Sequence, residues 1–121
     1  MPLVGPEIIA GSTRMKAGTA TKMILNMLTT GVMIRLGKTY GNLMVDLTAT
    51  NQKLEARTLR LVQRLTGCST TTAVESLQNC DGELKTAVVC LTKETTPTEA
   101  RRILAAVDGH LRRALESEPD E

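Results

Sequence analysis

Apolar positions in the first third of the chain recur with a helical period. Met23, Met27, Thr30 and Ile34 share one face, and Ile24, Leu28, Val32 and Leu36 adjoin it. That spacing predicts a helix from Met15 to about Leu36, with an apolar arc wide enough to imply burial on more than one side. Ahead of it, Glu7-Ile8-Ile9-Ala10 lies between Gly5-Pro6 and Gly11-Ser12, which predicts one short strand ending in a turn. A single strand needs a neighbour to pair its edges, and no later segment offers one. The pattern therefore reads as part of a larger fold.

Lys38 to Asn42 interrupts the helical pattern, and Leu43-Met44-Val45-Asp46-Leu47 is expected to resume it as a short helix or turn. Asn51 is a natural N-cap for a helix through Leu54, Leu61 and Leu65, which Gly67 would end at its C′ position. In the last third, Thr72-Ala73-Val74-Glu75 has the form of a capping box, with Val74 and Leu77 expected inward. Asp81-Gly82 predicts a turn, and Leu84, Val88 and Leu91 mark the next helix. Thr96-Pro97-Thr98-Glu99 is a second capping box, with proline at the first helical position. A final helix is expected through Ile103, Leu104, Val107, Leu111 and Leu115, before the acidic tail Glu116 to Glu121. No internal repeat is evident at this level.

Composition narrows the picture. Of 121 residues, 41% are hydrophobic and 23% charged, ordinary for a soluble globular protein. There is no Phe or Trp and only Tyr40, so any core is built from aliphatic residues, Ala and the six Met, which favours helices over strands. A net charge of +2, without aromatic side chains to stack on bases, argues against a nucleic-acid partner. Cys68, Cys80 and Cys90 lack CxxC spacing and have only His110 to join them, so no zinc site, disulfide framework or other cofactor is expected. The thiols read as inert apolar residues of a protein in a reducing cytoplasm. No apolar run approaches the ~18–20 residues of a membrane span, so no membrane partner is expected.

The chemistry worth weighing lies in G-S-T-R-M-K-A-G-T-A-T-K, residues 11–22. A helix N-terminus binds anions through free amides, the positive end of its dipole and small residues that allow close approach. Gly11, Ser12 and Thr13 supply small residues and hydroxyls, while Arg14, Lys16 and Lys22 supply charge. The alternative is that Ser12 or Thr13 merely caps the helix among solvated cations, and the residues alone leave both readings open. The phosphate loop G-x-x-x-x-G-K-[ST] is not met, because Gly11 and Gly18 are seven apart and no lysine follows Gly18.

G-P-E-I-I-A-G-S-T-R-M-K-A-G-T-A-T-K-M-I-L-N-M-L-T-T-G, followed by G-K-T-Y-G-N-L-M-V-D and T-N-Q-K-L, closely resembles the N-acetylmuramic acid 6-phosphate etherases. These are sugar-isomerase (SIS) domain proteins related to the glucokinase regulatory protein. The match covers residues 5–54, and T-G-C, A-V-E-S-L and C-D-G-E-L-K-T-A-V-V extend it more weakly. Thr21 departs from the glutamine usual in the family.

The resemblance implies a mainly α fold. The distal strand and helices of a SIS-type α/β domain would occupy residues 1–50, followed by a linking helix at 51–66 and a small ubiquitin-associated-like three-helix domain at 67–121. It implies cleavage of the D-lactyl ether of an amino-sugar phosphate, giving N-acetylglucosamine 6-phosphate and D-lactate in cytoplasmic cell-wall recycling. Glu7, Ser12, Thr13 and Lys16 match the segment that approaches the sugar phosphate. The catalytic glutamates belong to a part of the family absent here, so no catalytic residue is assigned and the chain alone is expected to be inactive. A homodimer is expected, both from the family's habit and from the apolar breadth of residues 23–36. The rival readings are a non-catalytic sugar-phosphate regulator of the glucokinase-regulator type and, last, a protein-interaction module.

Overall fold

The computed structural model describes residues 2–47 and 51–117. The acidic tail beyond Ser117 and the boundary expected at residue 50 lie outside them. The chain divides into two units, residues 1–35 and 36–121.

The first unit is dominated by α1 (Lys16–Arg35), close to the predicted span. The strand expected at 7–10 is not formed. That stretch is a series of bends and a turn, in which the Ser12 amide donates to the Ile9 carbonyl at 3.0 Å. Without a second strand to pair with, the backbone satisfies itself locally. No residue of α1 is buried, and Met23, Leu25, Met27, Leu28, Val32 and Ile34 are each more than half exposed. The wide apolar arc is present, but in this structure it faces outward rather than into a core.

The second unit holds the core. It opens with a hairpin, β1 (Thr39–Tyr40) and β2 (Leu43–Met44), in the register Thr39↔Met44 and Tyr40↔Leu43. The pairing extends through the Val45 amide to the Lys38 carbonyl at 3.1 Å. The helix or turn expected at 43–47 is thus a strand followed by an extended segment. The reason is the two-residue link Gly41-Asn42, where Gly41 at φ +57° supplies the positive dihedral that tight hairpins need.

Helix α2 (Gln52–Thr66) follows the sequence closely. The Asn51 side chain accepts from the Leu54 amide at 3.0 Å, and Gly67 closes the helix at φ +73°. Helix α3 (Thr70–Asn79) begins earlier than predicted, because Ser69 takes the cap and accepts from the Thr72 amide at 3.1 Å. The Thr72 box is therefore inside the helix, and the face that packs against α2 and α4 is not the one expected. Ala73, Ser76 and the following Cys80 are buried, Leu77 is half-buried, and Val74 lies at the surface. Helix α4 (Leu84–Lys93) buries Leu84, Ala87, Val88 and Val89, and it packs against α2, α3, α5 and α6. Helix α5 (Pro97–Ala106) is capped by Thr96, with proline in its first turn, as expected.

The single final helix expected from the sequence is instead two, α5 and α6 (Leu111–Glu116), broken at Asp108-Gly109. There the Gly109 amide reaches back to Leu104 O at 2.8 Å, and the Asp108 amide to Ala105 O at 3.3 Å. This is a Schellman closure. The end of α3 is built identically: Gly82 N to Leu77 O at 2.8 Å and Asp81 N to Gln78 O at 3.4 Å. Both aspartates hold positive φ, 54° at Asp81 and 53° at Asp108. Leu77-Gln78-Asn79-Cys80-Asp81-Gly82-Glu83-Leu84 and Leu104-Ala105-Ala106-Val107-Asp108-Gly109-His110-Leu111 are therefore a short repeat, contrary to the expectation of none. Each copy makes a helical hairpin and plants a leucine, Leu84 or Leu111, at 1% exposure.

Lys85 ties the hairpin to the helices. Its Nζ donates to Gly109 O at 3.0 Å and Gly37 O at 3.2 Å, and pairs with Asp46 Oδ1 at 3.1 Å. Lys38 holds the other oxygen of the same carboxylate. Gly37 must be glycine: its φ is +67°, and a Cβ there would sit 2.9 Å from His110 Cγ. Among the described residues, no helix is long and apolar enough to cross a membrane.

Candidate functional site

At the start of α1, the first amides are held by this chain's own carboxylate. Glu7 Oε2 accepts from the Lys16 amide at 3.1 Å, and Oε1 from the Ala17 amide at 3.0 Å. These are positions where a helix N-terminus would receive a bound anion. The Lys16 ammonium turns back to the Pro6 carbonyl at 2.9 Å, and the Gly18 amide donates to Thr13 O at 2.8 Å. Of the four residues singled out in sequence, Glu7 and Lys16 thus meet through the main chain. Ser12 is half-buried and Thr13 exposed in the turn that precedes them. Neither hydroxyl is the cap; a carboxylate nine and ten residues upstream takes that place.

Those two amides, Ala17 first and Lys16 second, hold the Glu7 carboxyl below its ordinary value of 4.5. A depressed folded-state pKa contributes stability that is present above the unfolded value and lost as pH falls through the folded one. Acidification below about 4.5, or Glu7→Ala at neutral pH, is therefore expected to lower the protection of the Lys16 and Ala17 amides against hydrogen exchange, relative to the intrinsic rate at the same pH. Protection at Val62 should not change. Equal protection at Ala17 in wild type and variant would contradict the capping role.

A second cationic feature lies on α2. Lys53, Arg57, Arg60 and Arg64 are spaced by four, three and four residues, and all are exposed. That spacing stacks them along one helix face, over about 16 Å at 1.5 Å per residue. None has an ion-pair or hydrogen-bond partner for its side chain among the described residues. Like charges one turn apart weaken a helix, and the one acidic residue of α2, Glu55, lies away from the stripe. Guanidinium groups in such a row suit phosphate or carboxylate groups, which their fork of donors matches. Reading the charge as a net sum hid this stripe; its signal was the four-three-four spacing.

Among the described residues, several carboxylates are held as ions by neighbouring cations. Asp46 is held by Lys38 and Lys85, Asp81 and Glu83 by Arg101, and Glu99 by Arg102. The carboxyls whose pKa moves, Glu7, Asp46 and Glu99, all move down, each through hydrogen bonds to its charged form. A general acid working near neutrality needs the opposite shift. His110 precedes α6 and packs against Gly37. Tyr40 lies under the Arg112 guanidinium, 4.9 Å from its ring centroid.

Comparison with known proteins places this geometry in context. Residues 41–80 match the C-terminal lid domain of glucokinase regulatory protein. The chain is 62% identical over 114 residues to an N-acetylmuramic acid 6-phosphate etherase of Rhodopirellula baltica, covering 94% of this chain and 38% of that protein. It is 51% identical over 117 residues to the enzyme of that name from Salinibacter ruber, covering 97% and 38%. For the one from Klebsiella aerogenes the figures are 49% over 114 residues, 94% and 38%. The similarity read from residues 5–54 therefore runs through nearly the whole chain. The chain spans about 38% of the length of these relatives.

Proposed function

We propose that this chain forms the C-terminal portion of an N-acetylmuramic acid 6-phosphate etherase and has no turnover of its own. One observation carries the proposal: 49–62% identity along 94–97% of this chain, set against 38% of its relatives. The exposed α1 supports it. A helix with so wide an apolar arc belongs against more than one neighbour, and a SIS-type α/β domain covers such a helix with its sheet and neighbouring helices. Residues 1–50 are then the distal part of that domain, 51–66 the linking helix and 67–121 the small helical domain.

In this reading the complete enzyme is a cytoplasmic homodimer of cell-wall recycling. It removes the C2 proton of the sugar, expels lactate from C3 and adds water. Glu7, Ser12, Thr13 and Lys16 border the sugar-phosphate pocket, and the glutamates that move protons lie outside this chain. The substrate carries two anionic groups, a phosphate and the lactyl carboxylate. The α2 stripe, led by Lys53 and Arg57, is a row of guanidinium and ammonium groups suited to anions of this kind. The purified chain is expected to release no lactate from N-acetylmuramic acid 6-phosphate in a coupled lactate dehydrogenase assay. Sustained turnover would refute the proposal. The match of residues 41–80 to a regulatory protein's lid favours one alternative, a sugar-phosphate binder without catalysis. Saturable binding of the sugar phosphate by the complete protein, with no lactate produced, would select that alternative.

A further inference from the structure

We propose that Cys80 and Cys90 form a modification site, a neighbouring dithiol that closes to a disulfide and staples α3 to α4. The two Sγ atoms lie 3.7 Å apart, with the Cys80 thiol donating to Cys90. Both thiols are free in this structure. The pair joins two adjacent elements: Cys80 ends α3 at its Schellman turn, and Cys90 stands in the second turn of α4. Disulfide formation requires the sulfurs to approach to about 2 Å, from the 3.7 Å that now separates them.

Access sets the order of events. Cys80 is 1% exposed. Cys90 is half-buried, and both thiols border a shallow opening of 290 Å³, lined in part by Ser76, Asn79, Glu94 and Pro97. A small disulfide such as oxidised glutathione therefore reaches Cys90 first. Cys90 loses its proton and its sulfur attacks one glutathione sulfur. The glutathione S–S bond breaks, one glutathione leaves as thiolate, and a mixed disulfide remains on Cys90. Cys80 then loses its proton and attacks the Cys90 sulfur, which expels the second glutathione. Two protein thiols are oxidised, one glutathione disulfide is reduced, and two protons leave.

Burial, followed by the hydrogen bond from Cys80, pushes the Cys90 thiol up to about 12. The first step is accordingly slow at neutral pH, and the pair stays reduced during brief handling. Cys68 is half-buried at the far end of α3, and its own oxidation products are removed by Cys68→Ser.

The test equilibrates the full chain carrying Cys68→Ser with glutathione buffers of increasing oxidised fraction. The expected product has lost two hydrogens by intact mass, retains no titratable thiol when denatured, and runs as a monomer on a non-reducing gel. A closed loop of this length is expected to raise the thermal midpoint by roughly 5–10 °C. Cys80→Ser is expected to stop at a glutathione adduct on Cys90. An adduct that persists on Cys90 with Cys80 present, thiols that stay titratable after equilibration, or closure without a thermal shift would each overturn the proposal.

Discussion

Replacing Lys85 with methionine is expected to lower the unfolding free energy of residues 36–121 by about 2–4 kcal/mol. The side chain is only 15% exposed, and its ammonium serves Gly37 O, Gly109 O and Asp46 Oδ1 together. Methionine fills much of the same space but donates nothing, so two carbonyls lose a charged donor and a carboxylate loses half of its neutralisation. Lys38 remains on Asp46, which keeps the cost below that of a fully orphaned charge. The urea midpoint should fall while the dependence on urea concentration stays the same. An unchanged midpoint would mean that the hairpin is held by its apolar contacts alone. The same cluster sets an acid limit. Asp46 is held below its ordinary 3.8, first by Lys38 and then by Lys85, so its contribution is present above that value and disappears as pH falls through the folded-state pKa.

The second large effect concerns the α2 stripe, in a full-length protein in which this chain replaces the matching part of the Rhodopirellula baltica etherase. There Arg57→Ala is expected to reduce kcat/KM about 100-fold, close to 3 kcal/mol of lost transition-state binding. Arg57 is exposed and unpaired among the described residues, next to Lys53 and Arg60 on the same face. Its removal should leave the thermal midpoint unchanged or slightly higher, because one like-charge repulsion disappears. A loss of activity without loss of stability distinguishes an anion ligand from a helix-packing residue. Arg57→Lys should recover part of the rate, since a point charge replaces the fork. Full activity in Arg57→Ala would show that this residue takes no part in binding the substrate.

What could be read from sequence was what neighbouring residues decide among themselves. Asn51 and Gly67 bracket α2, and Thr96-Pro97 opens α5, because caps are set within a turn of the residues that make them. Errors arose where distant residues decide. Residues 7–10 look like a strand, but a strand exists only with a partner. Glu7 could be a sugar ligand or a surface acid in one dimension; only the folded chain brings it to the Lys16 and Ala17 amides. Ser69 takes the cap from Thr72, and packing of α3 against α2 and α4 selects the face of Ala73, Ser76 and Cys80, which leaves Val74 at the surface. The break at Asp108-Gly109 was legible in principle. The same Leu-x-x-apolar-Asp-Gly-x-Leu pattern stands at 77–84, where Asp81-Gly82 predicts a turn. Strong apolar periodicity across 103–115 masked it. In the same way, four cations in a row were hidden in a modest net charge.

The central claim is that this chain supplies the distal part of an etherase and depends on the remaining part for its chemistry. Lactate release by the graft onto the Rhodopirellula baltica remainder tests it most directly, measured beside each piece alone. The graft is expected to turn over within about tenfold of the native Rhodopirellula enzyme, and this chain not at all. A folded, substrate-binding graft that releases no lactate, or turnover by this chain unaided, would contradict it.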